Sequence, residues 1–194
     1  MVKVFYFFRH GETELNRQKR WQGSGMDYDL NETGIQQAQD LAEKLARKGL
    51  EVIFSSPLIR AKHTADAVAA RLGTDVLVRA DLRECFYGAA EGQLISDLQR
   101  DYPGVAENWS KPGEANWALR FPQGESKGEA LHRVWAEIEK LAAEPYQTAG
   151  VAIHGGTMAA LLNFLNYDFD KIPNCGVFRM DYENGSGRVI GNIF

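Results

Sequence analysis

The chain has 194 residues, of which 44% are hydrophobic and 25% are charged, and its formal net charge is -4. This length and composition suffice for one globular domain with a sizeable core, and they exclude a disordered chain. The pI near 5.6 excludes a protein-wide basic field for holding nucleic acid or an anionic membrane. We therefore expect a single domain over residues 1–194, no nucleic-acid or membrane partner, and anion binding only where arginines are placed locally.

The sequence also favours a reduced, cytoplasmic location. No apolar run approaches the roughly 18 residues that cross a bilayer, and the N-terminal run from Val4 to Phe8 is too short for a signal-peptide core. Cys85 and Cys175 form neither a metal-ligand cluster nor a disulfide framework. We expect both to be free, packed thiols.

The first predicted elements are a strand and a helix. Lys3 to Phe8 is β-branched and aromatic, which is typical of a strand covered on both faces. Thr33 with Gln36 resembles a capping box and predicts the start of a helix that Gly49 ends. The predicted buried stripe of this helix consists of Ile35, Ala38, Leu41, Ala42 and Leu45.

The pattern then repeats. Val52 to Ser55 predicts a second strand, Pro57 opens a second helix that Gly73 terminates, and Asp75 to Val78 predicts a third strand. A short helix is predicted from Leu94 to Tyr102. The buried stripe of the second helix is predicted at Ala61, Ala65, Val68, Ala69 and Leu72.

Residues 103–124, rich in Pro, Gly and Trp, predict an irregular excursion, which we call the cap segment and expect to cover the ligand site. Its Trp109 and Trp117 are expected to pack either as a lid or as core. A third main helix follows, with a stripe that includes Leu131 and Ile138 as well as Trp135 and Ala142.

The C-terminal part completes the alternation. Val151 to Ile153 predicts a strand, Met158 to Leu165 a helix, and Val177 to Tyr182 with Val189 to Ile193 a hairpin around Asn184-Gly185. Alternating strands and helices predict an α/β fold: a three-layer α/β/α sandwich with a mostly parallel sheet. In such sheets ligands bind beyond the carboxyl ends of the strands.

Three predicted strand ends carry residues suited to binding an anion. The first ends in Arg9-His10-Gly11, the second leads to Arg60 one turn into the next helix, and the fourth ends in His154-Gly155-Gly156. Guanidinium forks match phosphate oxygens, and glycines let backbone amides approach an anion closely. We expect these residues to converge on one phosphate pocket.

A histidine in such a pocket is a candidate nucleophile. The neighbouring arginines should lower the pKa of His10 and keep its imidazole neutral, so that attack on a phosphate monoester would give a phosphohistidine. The leaving alkoxide then needs a proton, and Glu84, just after the third strand, is the available general acid, although Asp81 and Glu91 lie close to it in sequence. The same carboxylate would then activate water.

These motifs resemble the histidine phosphatase superfamily, also called phosphoglycerate-mutase-like, over nearly the whole chain. The resemblance places His10 as the phosphorylated histidine, Arg9 and Arg60 as phosphate-binding arginines, and Glu84 as the proton donor. His154 matches the second pocket histidine. The matching segments are Arg9 to Thr13, Asn16, Trp21-Gln22-Gly23, Leu30 to Gly34, Ser55 to Ala65, Glu84 to Gly92 and His154 to Gly156.

The resemblance implies that Gly11, Asn16, Gln22, Gly23 and Gly155 contact the phosphate or the substrate, alongside the arginines and His154. It also implies an enzyme that needs no cofactor and takes a small phosphorylated substrate, as a monomer or a homodimer. We expect no metal site, because no Asp or Cys accompanies the histidines at ligand spacing and the arginines would repel a cation.

Departures from the family pattern favour a phosphatase (a hydrolase) over a mutase. The mutase pattern at the acid is Glu-Arg-x-Tyr-Gly, whereas this chain has Cys85 after Glu84 and so lacks that arginine. The chain is also short for the insertion and C-terminal tail that are usual in mutases. Ala90 replaces a large aromatic residue that is often found before the Glu-Gly pair, here Glu91-Gly92. The family pattern therefore does not define the shape of the substrate side of the pocket. A mutase and a non-catalytic module that binds a phosphorylated ligand remain the alternatives.

The remaining polar candidates receive weaker expectations. His63 and His132 lie on predicted helices at positions that favour solvation. Four basic residues lie on or near irregular segments and are candidates either for holding a second anionic group or for ordinary surface exposure. They are Arg20, Arg83, Lys111 and Arg120.

Overall fold

A six-stranded sheet forms the centre of the protein, whose computed structural model describes residues 1–191. The strand order is β3-β2-β4-β1-β5-β6. Strands β3, β2, β4 and β1 run parallel, whereas β5 pairs antiparallel with β1, and β6 pairs antiparallel with β5. The strands are β1 (Lys3–Arg9), β2 (Val52–Ser55), β3 (Val76–Val78), β4 (Thr148–Ile153), β5 (Val177–Glu183) and β6 (Ser186–Ile190). The mostly parallel α/β sheet is therefore confirmed.

Helices cover both faces of the sheet. Helices α2 and α3 contribute to a core on one face, and α6 and α7 contribute to a core on the other. The α-helices are α1 (Glu14–Arg17), α2 (Glu32–Leu45), α3 (Ile59–Leu72), α4 (Ile95–Asp101), α5 (Pro103–Ala106), α6 (Lys127–Ala143) and α7 (Gly155–Phe164). This is the predicted three-layer arrangement.

Strand β1 shows why the central strand is apolar throughout. Phe5 and Phe7 point into the core shared with α6 and α7, and Tyr6 and Phe8 point into the core shared with α2 and α3. Successive side chains of a strand alternate between faces, so a strand covered on both faces needs a continuous apolar run. The rigid strand ends where Arg9 meets the edge of the sheet.

The predicted start of α2 is wrong by two residues. Asn31, not Thr33, is the N-cap, and its side-chain oxygen accepts a hydrogen bond from the Gly34 N–H at 2.8 Å. Thr33 lies exposed inside the first turn. Ile35 is also 51% exposed rather than part of the buried stripe, because it lies at the margin of that stripe, where Gly34 and Ala38 are the buried residues.

Other boundaries move by a few residues. Helix α2 ends at Leu45, before Gly49, and α3 begins at Ile59 rather than at Pro57. Gly73 does terminate α3, in the left-handed conformation (φ 68°) that glycine adopts without steric cost.

The cap segment contains α5 and a 3-10 turn at Glu114–Ala118. Trp109 and Phe121 are buried in a small separate core with Tyr87 of the loop after β3, whereas Trp117 is only partly buried. The ring centroids of Trp109 and Tyr87 lie 5.0 Å apart. The cap segment is thus packed against the loop that carries Glu84.

The C-terminal hairpin is confirmed, with positive φ at both Asn184 (52°) and Gly185 (79°). The predicted second strand reached Ile193, but β6 ends at Ile190, and residues 192 and 193 lie outside the described residues. Cys85 and Cys175 are free and buried, as predicted. No helix within residues 1–191 has the length and apolar character needed to cross a membrane.

Candidate active site

The carboxyl ends of β1, β2 and β4 bring the predicted site residues together. Because β4 lies between β1 and β2, Arg9 pairs with Ile153 at the edge of the sheet, and Ser55 pairs with Ala152. A cavity of about 390 Å³ opens at this edge. Its wall is formed by Arg9, His10, Asn16, Arg20, Trp21, Gln22, Glu84, Tyr87, Ile95, Trp109, Ser110, Gly155, Gly156, Ala159 and residues 169–172.

His10 lies at the floor of this cavity with a defined tautomer. Its Nδ1 is 2.7 Å from the carbonyl oxygen of Gly11. A carbonyl only accepts hydrogen bonds, so Nδ1 carries the proton and the neutral ring keeps its lone pair on Nε2. The pKa of His10 is lowered well below its ordinary value, first by burial and then by the charges of Arg60 and Arg9. His10 is therefore an unprotonated base at neutral pH.

Arg60, which is fully buried, and Arg9, which is half-buried, bring two positive charges to the site. Arg9 Nη1 donates to the Ile172 carbonyl at 2.8 Å, and Arg60 donates to the Met26 carbonyl at 2.9 Å and to the Gly23 carbonyl at 3.1 Å. The Nε atoms of both arginines are buried without a partner among the described residues. Burial lowers the pKa of Arg60 to about 10, and it lowers that of Arg9 as well.

His154 offers a further open polar atom. Its ring centroid is 5.2 Å from that of His10, and its Nε2 lies 2.7 Å from the hydroxyl of Ser56. The Ser56 oxygen accepts from the Leu58 N–H and keeps a second lone pair, so it can donate to His154 Nε2 or accept from it. With Ser56 as the donor, the ring hydrogen of neutral His154 lies on Nδ1, which is buried without a partner among residues 1–191. Unpaired buried donors of this kind favour an anionic ligand.

Glu84 caps the N-terminus of α7 inside the cavity. One carboxyl oxygen accepts from the N–H groups of Cys85 and Thr157, both at 2.9 Å, and the other accepts from the Gly156 N–H at 2.8 Å. Burial raises the pKa of Glu84, although these hydrogen bonds and Arg60 oppose the change.

Gly11 and Gly155 of the predicted site make different contacts. Gly11 was predicted to offer its amide to an anion, but its N–H donates to Thr64 Oγ1 at 3.0 Å. Its lack of a side chain instead admits the backbone of Gly34. Gly155, the first residue of α7, lines the cavity beside Arg9, and its N–H makes no hydrogen bond with another described residue. Gly155 thus retains the predicted use.

Asn16, Gln22 and Gly23 also lie at the site. Asn16 lines the cavity, and its oxygen accepts from Asn174 Nδ2 at 3.2 Å, which leaves its amide nitrogen for a ligand. Gln22 lines the cavity and accepts from the Thr13 hydroxyl at 2.7 Å. Gly23 holds Arg60 through its carbonyl and lies outside the cavity wall.

Sequence reasoning missed the segment 169–172 and the positioning role of Asn174. Asn174 donates to the His10 carbonyl at 3.1 Å as well as to Asn16. The contact from Arg9 uses a main-chain carbonyl of Ile172, which no side-chain pattern reveals. The only available signal was position: the segment lies between the helix after His154 and the next strand.

The weaker basic candidates differ in whether they line the cavity. Arg20 lines the cavity, whereas Arg83 pairs with Asp81 and Arg120 pairs with Glu129 outside it. Lys111 is exposed and does not line the cavity. His63 and His132 are exposed, as predicted, and neither lines the cavity.

Comparison with known proteins decides the family. Residues 5–191 match the family described as "Histidine phosphatase superfamily (branch 1)". The chain belongs to this superfamily. A probable phosphoglycerate mutase from Proteus mirabilis is 33% identical over 192 residues, 95% of this chain and 86% of that protein. A putative phosphoserine phosphatase from Hydrogenobacter thermophilus is 33% identical over 165 residues, 84% of this chain and 79% of that protein.

Solved structures of superfamily members have the same fold. A mycobacterial glucosyl-3-phosphoglycerate phosphatase complexed with VO3 is 26% identical, with a TM-score of 0.84 over 99% of this chain and 98% of that one. A phosphoglycerate mutase from Bacillus anthracis is 27% identical, with a TM-score of 0.85 over 98% of this chain and 92% of that one. The superfamily relatives thus include proteins named as phosphatases and proteins named as mutases.

The open donors at the site lead to a prediction about phosphate itself. Inorganic phosphate should raise the melting temperature of the protein, since a ligand at a hundred times its Kd stabilises the folded state by about 2.7 kcal/mol. Replacing Arg60 by glutamine should remove most of this shift, as measured by calorimetry with and without phosphate. Arg9→Gln is a second such variant.

Arg71→Gln is the matched control for this prediction. Arg71 is half exposed and pairs with Glu43 away from the site, so this variant should keep the wild-type shift. Because each variant is compared with itself, a general loss of stability does not affect the result. An undiminished shift in both Arg60→Gln and Arg9→Gln would show that phosphate binds elsewhere.

Proposed function

We propose that this protein hydrolyses a phosphate monoester through a phosphohistidine intermediate on His10. The observation that carries the proposal is the protonated Nδ1 of His10 at the Gly11 carbonyl, which leaves Nε2 as a neutral nucleophile among buried cations. The superfamily membership and the relatives named as phosphatases support hydrolysis.

The first half-reaction forms the phosphoenzyme. His10 Nε2 attacks phosphorus, the bond from phosphorus to the ester oxygen breaks, and Glu84 transfers its proton to the leaving oxygen. Arg9 and Arg60 stabilise the negative charge on the non-bridging oxygens, together with the N–H that His154 Nδ1 presents. The raised pKa of Glu84 suits this role, because it keeps a protonated fraction at higher pH.

The second half-reaction returns the enzyme to its starting state. Glu84, now ionised, takes a proton from a water molecule as the water oxygen attacks phosphorus. The bond between phosphorus and His10 Nε2 breaks, inorganic phosphate leaves, and neutral His10 is restored. Glu84 ends this step protonated, so it can serve as the acid in the next turnover.

Transfer to water is favoured over transfer to a second phosphoglycerate. Cys85 stands where the mutase pattern has an arginine. Cys85 is buried, its thiol donates to the Glu125 carbonyl oxygen, and it does not line the cavity. The cavity therefore lacks that contact for a retained anionic group. Intact His10 and Glu84 likewise oppose the reading as a non-catalytic binding module.

Turnover of an aryl phosphate tests the proposal. His10→Asn should abolish turnover, and Glu84→Gln should slow it by about 10²- to 10⁴-fold, because Glu84 no longer takes a proton from the water that hydrolyses the phosphohistidine. The control is His63→Gln, because His63 is exposed and bonded to Asp29 outside the cavity. Release of inorganic phosphate is the measurement.

Three results would oppose this proposal. Phosphate binding without turnover in the wild type would favour the binding module. Exchange between phosphoglycerate isomers that requires a bisphosphate primer would favour the mutase. Full activity of His10→Asn would exclude the phosphohistidine.

The cavity also supports a substrate class. Its volume of about 390 Å³ exceeds what a phosphoryl group fills, and its wall includes the rings of Trp21, Tyr87, Trp109 and Phe169. We infer that the alcohol part of the substrate presents apolar or ring surface to this wall.

The charged residues of the wall indicate one further negative charge on the substrate. Arg20 and Lys171 line the cavity, and neither pairs with a carboxylate of another described residue. Asp170 also lines the cavity, so Arg20, Lys171 and Asp170 together carry a net charge of one positive unit. A single carboxylate fits this balance, and the relatives named for phosphoserine and for glucosyl-3-phosphoglycerate are consistent with it.

Matched substrates test this assignment. Arg20→Gln and Lys171→Gln should each raise KM for a carboxylate-bearing phosphate monoester by about fivefold, the equivalent of an exposed ion pair of about 1 kcal/mol. KM for the corresponding methyl ester should not change. Lys111→Gln, an exposed change in the cap segment, is the control. Equal effects on both substrates, or none, would contradict a carboxylate site here.

A further inference from the structure

The loop that carries Glu84 is held from behind by one arginine of α6. Arg133 Nη1 donates to the carbonyl oxygens of Asp81 at 2.7 Å and Arg83 at 3.0 Å, and Nη2 donates to the carbonyl of Glu84 itself at 3.4 Å. A single guanidinium thus binds three carbonyls within four consecutive residues. No sequence motif pointed to this residue.

Glu125 completes the arrangement on the other side of Glu84. Arg133 donates from Nε and from Nη2 to the two carboxyl oxygens of Glu125, at 3.1 and 2.8 Å. The same carboxylate accepts from the Phe86 N–H at 3.3 Å, and the Glu125 N–H donates to the Phe86 carbonyl at 2.7 Å. The main chain is therefore fixed both before and after Glu84.

Arg133 uses all five of its N–H donors in these contacts, which is the full capacity of a guanidinium. Its side chain is 10% exposed and that of Glu125 is 18% exposed. Neither residue lines the cavity. Their contacts therefore serve the loop and not a ligand.

We propose that Arg133, with Glu125, is a positioning residue that fixes the Glu84 carboxyl for proton transfer to the leaving oxygen. The inference rests on the proposed function. The tip of Glu84 is held by amides of α7, and Arg133 holds its main chain, so both ends of the side chain are fixed. Loss of Arg133 leaves the donors at the tip in place but moves the base of the side chain.

A proton donor that is slightly displaced harms only those reactions that need the proton. The pair of probes is 4-nitrophenyl phosphate, whose aryl oxide leaves without protonation, and 4-nitrobenzyl phosphate, whose alkoxide requires a proton. The readout is kcat/KM, because it covers the steps up to phosphoenzyme formation and excludes the later hydrolysis of the phosphohistidine.

Arg133→Met should lower kcat/KM for 4-nitrobenzyl phosphate by about ten- to a hundredfold, the cost of a misplaced acid. The value for 4-nitrophenyl phosphate should change by less than about threefold, since no proton transfer is required. Glu125→Gln should show the same selectivity to a smaller degree, because glutamine still accepts from Phe86. Arg133→Lys should lie between Arg133→Met and the wild type, because lysine has three donors.

Two comparisons separate positioning from general stability. Arg71→Gln removes an exposed ion pair far from the site and should leave both kcat/KM values unchanged. Melting temperatures identify any variant that fails to fold, and Glu125→Gln and Arg133→Lys then carry the test. Glu84→Gln defines the largest leaving-group selectivity that loss of the acid can produce.

The results that overturn the proposal are distinct from those that overturn the function. An active wild type whose Arg133 and Glu125 variants lose both substrates equally, or lose neither, would show that this pair does not position the acid. A wild type that hydrolyses neither phosphate would overturn the proposed function, and the positioning role with it.

Discussion

Positive charge buried at the edge of the sheet governs the rest of this structure. Arg60 is fully buried and Arg9 is half-buried, and holding guanidinium groups away from water is costly unless their donors are paired. Main-chain carbonyls satisfy part of each fork, yet both Nε atoms and His154 Nδ1 have no partner among residues 1–191. In the proposed reaction a phosphoryl group would supply the missing acceptors. Burial is the main cause that lowers the pKa of His10, and the charges of Arg60 and Arg9 add to it, so the arginines contribute both to the proposed binding and to keeping His10 neutral.

The topology of the sheet explains why residues far apart in sequence reach this site. Strand β4 lies between β1 and β2, so the segment after His154 is inserted between two segments that precede it in the chain. Glu84 arrives from outside the sheet, on a loop fixed by Arg133 and by the packing of Tyr87 against the cap segment. The sheet thus places His10 and the two arginines, while a separate set of contacts places Glu84.

The sequence predicted the parts of this site that depend on strand ends and local patterns. The apolar run before Arg9 predicted a buried strand, and the order of strands and helices predicted convergence at one edge. Contacts made through the main chain were out of reach, because any residue at Ile172 offers the same carbonyl to Arg9. The cap of α2 at Asn31 was missed for a different reason: Thr33 and Gln36 also fit a capping pattern, and the tertiary contact of Asn31 with Glu12 favours the earlier start. The hydrogen bond from the Gly11 N–H to Thr64 could not be predicted, because the sequence does not show that these two residues lie side by side.

The central claim is that His10 reacts through Nε2 because Nδ1–H is held by the Gly11 carbonyl. The direct measurement is to trap the phosphoenzyme from a phosphate monoester in the Glu84→Gln variant, where hydrolysis of the intermediate is slowed, and quench it in base. Phosphorus NMR and peptide mass spectrometry then identify the phosphorylated atom and residue. The account predicts phosphoryl on Nε2 of His10. Phosphoryl on Nδ1, on another residue, or on none while turnover continues would contradict it.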